Sequence, residues 1–451
     1  MHARLVRVLA AFAMAGCSVV AAPEGPVGAR TRTGGVPPAE AAGAPAPRRV
    51  GAEAGPTRRF EEVRGLWVVR STLTSERGIR AMVADAEAGG INTLLVQVRG
   101  RGDAYYRSRW EPRAELIGDP DLDPLDLVIR EAHARGIAVH AWVNTHLVWS
   151  GPTLPASPLH LVNERPDWLA VPRSLARRLR QVDPWDPSYA KALQRYALQN
   201  PATVEGMYSS PSHPGVQERV FAVWMDLAER YELDGIHFDY VRYPSGDFDY
   251  SAGSLERFRS WVRPRVPAER FALLDDQYRN DPFAFTDALP DAWSEFRREQ
   301  ITGLVERVYR GVKERRPDLV VSAAVFSNAE DAYGARFQDW RRWLDEGILD
   351  VVVPMAYTPV NGIFTRQVRE ATVSAGKRDR VWAGIGAYQN GLDGTLDKID
   401  IARKEGVGGM VLFSYDWAVT EGGRVGGVPF LRNVGRARFE GGAVAVDGGR
   451  D

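Results

Sequence analysis

The stretch Asp234-Gly-Ile-His-Phe-Asp-Tyr-Val-Arg-Tyr-Pro244 gathers carboxyl, imidazole and guanidinium groups into eleven residues. Its centre reads as a short buried strand. Alternation sends His237 and Asp239 to one face and Ile236 and Phe238 to the other. Arg242 follows in the next turn, and Pro244 stops the strand. A carboxyl group at the mouth of a buried strand is costly unless it has partners or a task. Asp239 is therefore the first candidate for chemistry, and the chemistry expected of it is acid–base or nucleophilic work on a sugar bond.

Other residues converge on the same end. Gln97 and Arg99 share one face of an earlier strand, and its loop continues through Asp103 and on to Trp110-Glu111-Pro112. His140, Trp142 and Asn144 share one face of the next strand. Three consecutive strands that each aim polar groups at one mouth favour a site. Two later strands end in Val353-Pro-Met-Ala-Tyr357 and Phe413-Ser-Tyr-Asp-Trp417, so Tyr357, Tyr415 and Trp417 are candidates to floor a sugar site. Glycoside hydrolysis needs two carboxyl groups flanking the scissile bond. With Asp239 as nucleophile or base, the acid is sought among Asp103, Glu111 and Asp416, all just past strand ends. Arg64, Trp67, Gln97, Arg99, His140, Trp142, Asn144, His237, Arg242, Tyr357, Tyr415 and Trp417 are the expected sugar contacts.

Rival chemistries find less support. The chain has no Gly-x-Ser-x-Gly elbow for a nucleophilic serine and no phosphate-cradling glycine loop, so no cofactor is expected. His140, His237 and Asp239 could in principle meet at a metal, but strand one carries no His-x-His pair, and no metal is expected.

The elements that must position these residues are short apolar strands alternating with amphipathic helices from Glu61 onward. The spacing predicts strands over 64–70, 92–98, 138–144, 235–240, 319–325, 350–356, 380–386 and 409–415. Helices are expected over 75–88, 124–135, 216–231, 292–315, 337–346, 364–375 and 395–405, with a weak eighth over 429–436. Eight βα units predict a closed (β/α)8 TIM barrel in one domain, 59–440. The loops Thr145–Gly215 and Val241–Asp291 are far longer than the rest and fall on the C-terminal face, where such barrels carry their sites. They are expected to wall a groove; the alternative is insertions with small cores of their own.

The 451 residues carry 58 basic and 58 acidic side chains, so no global positive field draws nucleic acid. Thirteen tryptophans and fifteen tyrosines offer flat faces to sugar rings. The N-terminus, residues 1–17, has a positive start, an apolar run from Val8 to Ala15, then Gly16-Cys17. That pattern is an export signal, and the single cysteine, Cys17, sits where a bacterial lipoprotein would be acylated, which would tether the chain to a membrane. Residues 18–58 are Ala, Pro, Gly and Arg with almost no large apolar side chains and read as a disordered tether. Residues 441–451 read as a disordered tail.

The chain resembles the glycosyl-hydrolase-like 10 group of bacterial envelope lipoproteins over about 63–417. The resemblance is carried by Arg64-Gly-Leu-Trp67, Val96-Gln-Val-Arg-Gly-Arg-Gly-Asp-Ala-Tyr-Tyr106, Trp110-Glu-Pro112, Gly136-Ile-Ala-Val-His-Ala-Trp-Val-Asn144, Asp234–Pro244 and Val353–Tyr357. It implies a (β/α)8 fold, an envelope location, hydrolysis of a polysaccharide such as peptidoglycan glycan, and Asp239 at the acidic position after strand four. Two segments depart from that group. Tyr240-Val-Arg follows Asp239 where Asp-Asp-Tyr is usual, and Thr-His-Leu-Val-Trp follows Asn144. Strand ends also echo family 18 chitinases, but Val241 stands where those enzymes place their acid. The absence of a second acid beside Asp239 motivates one alternative, a non-catalytic glycan-binding lipoprotein on the same barrel. A metal-dependent hydrolase or deacetylase is the other.

Overall fold

The computed structural model describes residues 61–420, 424–425 and 428–439. The expected signal, tether, Cys17 and tail lie outside them. Eight parallel strands close a barrel in sequential order. They are β1 (Val63–Val68), β2 (Thr93–Arg99), β3 (Ala138–Asn144), β4 (Gly235–Asp239), β5 (Val320–Phe326), β6 (Val351–Met355), β7 (Trp382–Gly386) and β8 (Gly409–Phe413). Each lies within a few residues of its expected position.

The helices that return the chain are α1 (Glu76–Ala88), α2 (Pro124–His133), α3 (Pro214–Arg230), α4 (Pro290–Arg315), α5 (Trp340–Asp345), α6 (Asn361–Ala375), α7 (Ala387–Glu405) and α8 (Phe430–Val434). Local chemistry sets their ends. The Ser75 and Asp123 side chains accept N–H bonds from Gly78 and Asp126 at the starts of α1 and α2. Gly376 and Gly406 end α6 and α7 with φ of 67° and 74°, a left-handed turn that a side chain would strain. The weak eighth helix exists as one short turn. Its Leu431 packs close against Gly89 at the end of α1.

Alternation along the strands separates two apolar layers. Outward residues such as Leu66, Val96, Val139, Ile236, Phe238 and Val321 join the helices in one large buried cluster. Inward residues Val63, Trp67, Leu95, Trp142, Val351, Val353, Trp382 and Val411 form a smaller cluster inside the barrel. Register pairs Asn144 with Asp239 and Trp142 with His237 between β3 and β4, and Trp67 with Phe413 between β1 and β8. The polar faces read from the sequence therefore do point into the barrel.

The barrel is crowded at its lower end. The His140 ring occupies the space that a side chain on Gly235 would need. A Cβ there would lie 2.4 Å from the ring and 2.7 Å from the Val320 carbonyl. Neither neighbour can swing away, because the ring also packs against Trp382 with centroids 5.6 Å apart. Gly235→Ala should therefore cost about 1–3 kcal/mol by overpacking, seen as a lower midpoint in denaturant unfolding.

Candidate active site

Strand β4 delivers Asp239 to the C-terminal rim, where only 9% of it is exposed. One carboxyl oxygen accepts the Tyr240 N–H at 2.7 Å. The other accepts the Trp142 indole N–H at 3.1 Å, and that same N–H is shared with Asn144 Oδ1 at 3.0 Å. Burial pushes the Asp239 carboxyl up to about 6, against the smaller opposing pull of Arg242 and of these hydrogen bonds; the negative charge of Glu205 adds to the rise. Tyr240 is held at φ 49°. That is a strained conformation for an aromatic residue, and such strain concentrates at functional sites.

A chain of side chains leads across the rim to this carboxyl group. Arg70 Nη1 donates to Gln97 Oε1 at 2.9 Å, and Gln97 Nε2 donates to Asn144 Oδ1 at 3.3 Å. Asn144 Nδ2 is fixed by the Gly100 carbonyl at 2.9 Å. An aromatic floor adjoins it. The Tyr357 and Phe413 rings stack with centroids 5.5 Å apart, and Tyr388 meets both edge-on. Burial, then the Asp239 charge, raise the Tyr357 phenol well above its ordinary value. Flat, partly open rings beside a buried acid suit a sugar ring and its glycosidic oxygen.

Of the residues expected from the sequence, Gln97, Trp142, Asn144, Asp239, Arg242 and Tyr357 meet at this rim. Trp67 and His237 lie just beneath it. The Trp67 indole donates to His237 Nε2 at 3.1 Å, and its ring edges meet Tyr357 and Phe413. Ser322 Oγ lies 2.9 Å from His237 Nδ1. With both nitrogens engaged, His237 supports the floor and has no atom free for a sugar.

The remaining expectations are corrected by their partners. Arg64 points outward at the opposite end of the barrel, where it donates to the Phe439 carbonyl and lies over that ring. His140 faces inward as expected, but four residues before the rim residue Asn144, roughly 13 Å deeper at about 3.3 Å per residue. Burial pulls its imidazole down to about 4. Arg99 escapes strict alternation because the β2–β3 pairing is irregular between Gln97 and Arg99. It turns under the β2 loop to Glu111 at 2.9 Å, with both side chains sealed at 2% and 0% exposure. Glu111 is thus a buried structural partner and does not reach the rim.

Asp416 is clamped by three donors: the Val69 N–H at 2.8 Å and the Ser71 and Thr72 hydroxyls at 3.0 and 2.8 Å. Asp103 accepts the Arg101 N–H at 3.0 Å and stabilises a turn. The Tyr415 hydroxyl donates to Asp85 on α1, and Trp417 packs on Phe430. Neither ring joins the floor.

The sequence did not single out Arg70, Tyr240, Phe413, Tyr388 or Glu205. Glu205 sits in the long loop after β3, beside a two-residue strand, Met207–Tyr208, that pairs with Leu147–Trp149 above the mouth. Arg242 Nη2 donates to Glu205 Oε1 at 2.7 Å, and the Tyr208 hydroxyl donates to Oε2 at 2.6 Å. No local pattern in a loop of that length could have placed it. The other aromatics of the two insertions mostly build small cores: Trp168 against His213, and Tyr250 against Phe283 and Trp293. A surface cavity of about 410 Å³ between the insertions is lined by Arg173, Arg177, Tyr196 and Phe283. Its two arginines are already paired with Asp287 and Asp281. Among the described residues, no group of three His, Cys, Asp or Glu side chains is arranged to hold a metal ion.

A closed (β/α)8 barrel with a buried acid and an aromatic floor at its C-terminal mouth has the groups needed to hold a sugar ring. The chain belongs to the glycosyl hydrolase-like 10 family, whose model matches residues 62–390. It is 26% identical to the glycosyl hydrolase DigH of Escherichia coli K12 over 329 residues, 67% of this chain and 63% of that protein. It is 23% identical to the glycosyl hydrolase YngK of Bacillus subtilis over 330 residues, 66% of this chain and 54% of that protein. The aligned part thus spans less than two thirds of either relative. The fold is shared with the catalytic domain of a β-amylase from Paenibacillus polymyxa, at TM-score 0.55 and 11% identity over 84% of this chain and 99% of that one. A β-galactosidase from Bacillus circulans sp. alkalophilus matches at TM-score 0.51 and 13% identity, over 79% and 50%.

The two kinds of carboxyl group should respond oppositely to neutralisation. Glu111→Ala strands a buried guanidinium and should cost about 3–5 kcal/mol of unfolding free energy. Asp239→Asn should do the reverse. Burial holds Asp239 at about 6 in the folded state, above the ordinary 3.8 of the unfolded chain, so wild type loses stability as pH rises through that window. The variant should be the more stable by about 1–3 kcal/mol at pH 8 and show no gain near pH 4, measured by denaturant unfolding at both pH values.

Proposed function

We propose that this protein is a glycoside hydrolase acting on the glycan strands of peptidoglycan or a related envelope polysaccharide. One observation carries the proposal: Asp239, only 9% exposed and pushed up by that burial, stands at the barrel mouth beside the Tyr357–Phe413–Tyr388 floor. A group of that kind can protonate a glycosidic oxygen as the C–O bond breaks. We therefore assign Asp239 the part of the general acid. The sequence favoured nucleophile or base, because it does not reveal how completely the strand end is desolvated.

The neighbours divide the remaining work. Trp142 and Asn144 orient the carboxyl group from the β3 side. Tyr357 and Phe413 offer a face for the sugar ring. Arg70, already anchored on Gln97, supplies positive charge at the rim for anionic sugar substituents. We place the enzyme in the bacterial envelope, held to a membrane by a lipid on Cys17 through the Ala- and Pro-rich tether. The peptidoglycan assignment and the anchor rest on the sequence pattern and the resemblance to envelope proteins.

Glycan strands from purified sacculi, with and without stem peptides, provide the test. Wild type should release new reducing ends, and Asp239→Asn should lower that rate by about 10²–10⁴-fold. Asp239 is faced by the Arg242 guanidinium, the Glu205 carboxylate and the Tyr240 and Tyr357 phenols. Its protonated form is the active one. The rate should therefore fall about tenfold for each pH unit above about 6. Sugar binding without turnover would instead establish the non-catalytic lectin-like alternative.

A further inference from the structure

Once Glu111, Asp103 and Asp416 are committed elsewhere, the barrel mouth needs another carboxylate opposite Asp239. Glu205 is the acidic group that acts electrostatically on both Asp239 and Tyr240. It is on an exposed loop, and its side chain is 37% open to solvent, unlike the sealed Glu111. Substrate and water can reach it.

Its position is nonetheless fixed. The chain leaving β3 is tied to the end of β4 by the Thr145 N–H on the Asp239 carbonyl at 2.7 Å and the His146 N–H on the Tyr240 carbonyl at 3.2 Å. The Ser209 N–H returns to the His146 carbonyl at 2.8 Å. These bonds hold Tyr208 over the mouth, where its ring lies 6.1 Å from that of Tyr240. Tyr208 and Arg242 then grip one carboxylate oxygen each. Arg242 is itself buried, with its guanidinium 4.7 Å from the Tyr240 ring centroid and 5.0 Å from that of Phe326. A loop residue held this firmly from both sides, at the edge of a catalytic mouth, has more fixing than a solvated surface glutamate needs.

We infer that Glu205 is the second catalytic carboxylate, the base that takes a proton from the attacking water while Asp239 protonates the leaving oxygen. The inference rests on the hydrolase reading given above. In the step, the water oxygen bonds to the anomeric carbon and gives one proton to Glu205. The C–O bond to the leaving sugar breaks, its electron pair goes to the leaving oxygen, and that oxygen takes the Asp239 proton. The excess proton on Glu205 then returns through solvent to Asp239. The Tyr208 hydroxyl, Arg242 and the Glu205 backbone N–H take three of the roughly four acceptor directions of the carboxylate, which leaves one for a water.

The electrostatics agree with this division. Partial burial pushes the Glu205 carboxyl up, but the Arg242 charge and the Tyr208 hydroxyl outweigh it and leave the group below the ordinary glutamate range. Environments that separate two carboxyl groups in this way assign the acid and the base.

The experiment uses the full chain on peptidoglycan glycan strands stripped of their stem peptides. Glu205→Gln, whose amide oxygen can still accept from Arg242, should lower kcat by about 10²–10⁴-fold with KM nearly unchanged and with the fold retained by circular dichroism. Glu205→Ala should regain turnover with azide, which attacks carbon without giving up a proton, and should yield a glycosyl azide. A purely structural loop residue would show neither the kcat-only loss nor the rescue. Products of wild type should appear with inverted anomeric configuration by NMR. Retained configuration would overturn the role as base on water. Full activity of Glu205→Gln, alongside an inactive Asp239→Asn, would overturn this inference and leave the hydrolase reading standing. No cleavage by wild type of any envelope glycan would remove both.

Discussion

Taking a carboxyl group out of water at the rim of an apolar barrel has a cost that hydrogen bonds must offset, and the offset at Asp239 is deliberately incomplete. Its rise from 3.8 to about 6 corresponds to roughly 3 kcal/mol between the two protonation states. The Tyr240 N–H is a full donor, but the Trp142 N–H is divided between Asp239 and Asn144. Asp416 shows what full compensation looks like, with three undivided donors on two oxygens. Glu111 shows another arrangement, a guanidinium on Oε1 in a sealed pocket with Oε2 left without a hydrogen-bond partner. The carboxyl group proposed as the acid thus differs from Asp416 in its donors, two of which it holds, one of them shared.

The interior beneath Asp239 is kept neutral by the same means. The Trp67 N–H donates to His237 Nε2, which requires a lone pair there. The ring proton then sits on Nδ1, facing Ser322 Oγ, while the Ser322 hydroxyl donates to the Ile236 carbonyl. Burial pulls His237 well below its ordinary value, and His140 acts in the same direction. The polar layer is therefore satisfied without charge, and the low dielectric that raises the acid is preserved.

Periodicity made the barrel legible. All eight strands and the inward faces of β3 and β4 follow from alternation, because a parallel strand buried on both sides has little freedom to depart from it. The failures are local and physical. Arg99 shares Gln97's parity, but the irregular pairing between them turns it away. His140 shares the face of Asn144, but parity says nothing about depth along the strand. Tyr415 and Asp416 stand at the expected strand end, yet the chain there enters a short helix, Tyr415–Ala418, which turns Tyr415 outward onto Asp85. Glu205 was invisible for a different reason: its partners lie on β4 and on its own two-residue strand, contacts that no local sequence pattern encodes.

Arg242 explains why the residue after the acid need not be a second acid. A guanidinium buried at this point stabilises negative charge on any neighbour, so by itself it would weaken Asp239 as a proton donor. Its 2.7 Å bond is to Glu205; it still pulls Asp239 down, though less than burial raises it, and the Glu205 charge adds to the rise. The planar group is held between the Tyr240 and Phe326 rings, an arrangement that a flexible ammonium would not keep. Arg242 thus lowers both carboxyl groups: burial outweighs it at Asp239, whereas at Glu205 its direct bond helps to outweigh burial, and the two shift in opposite directions. Arg242 makes that contact from the strand side, with the partner charge brought in by the loop after β3.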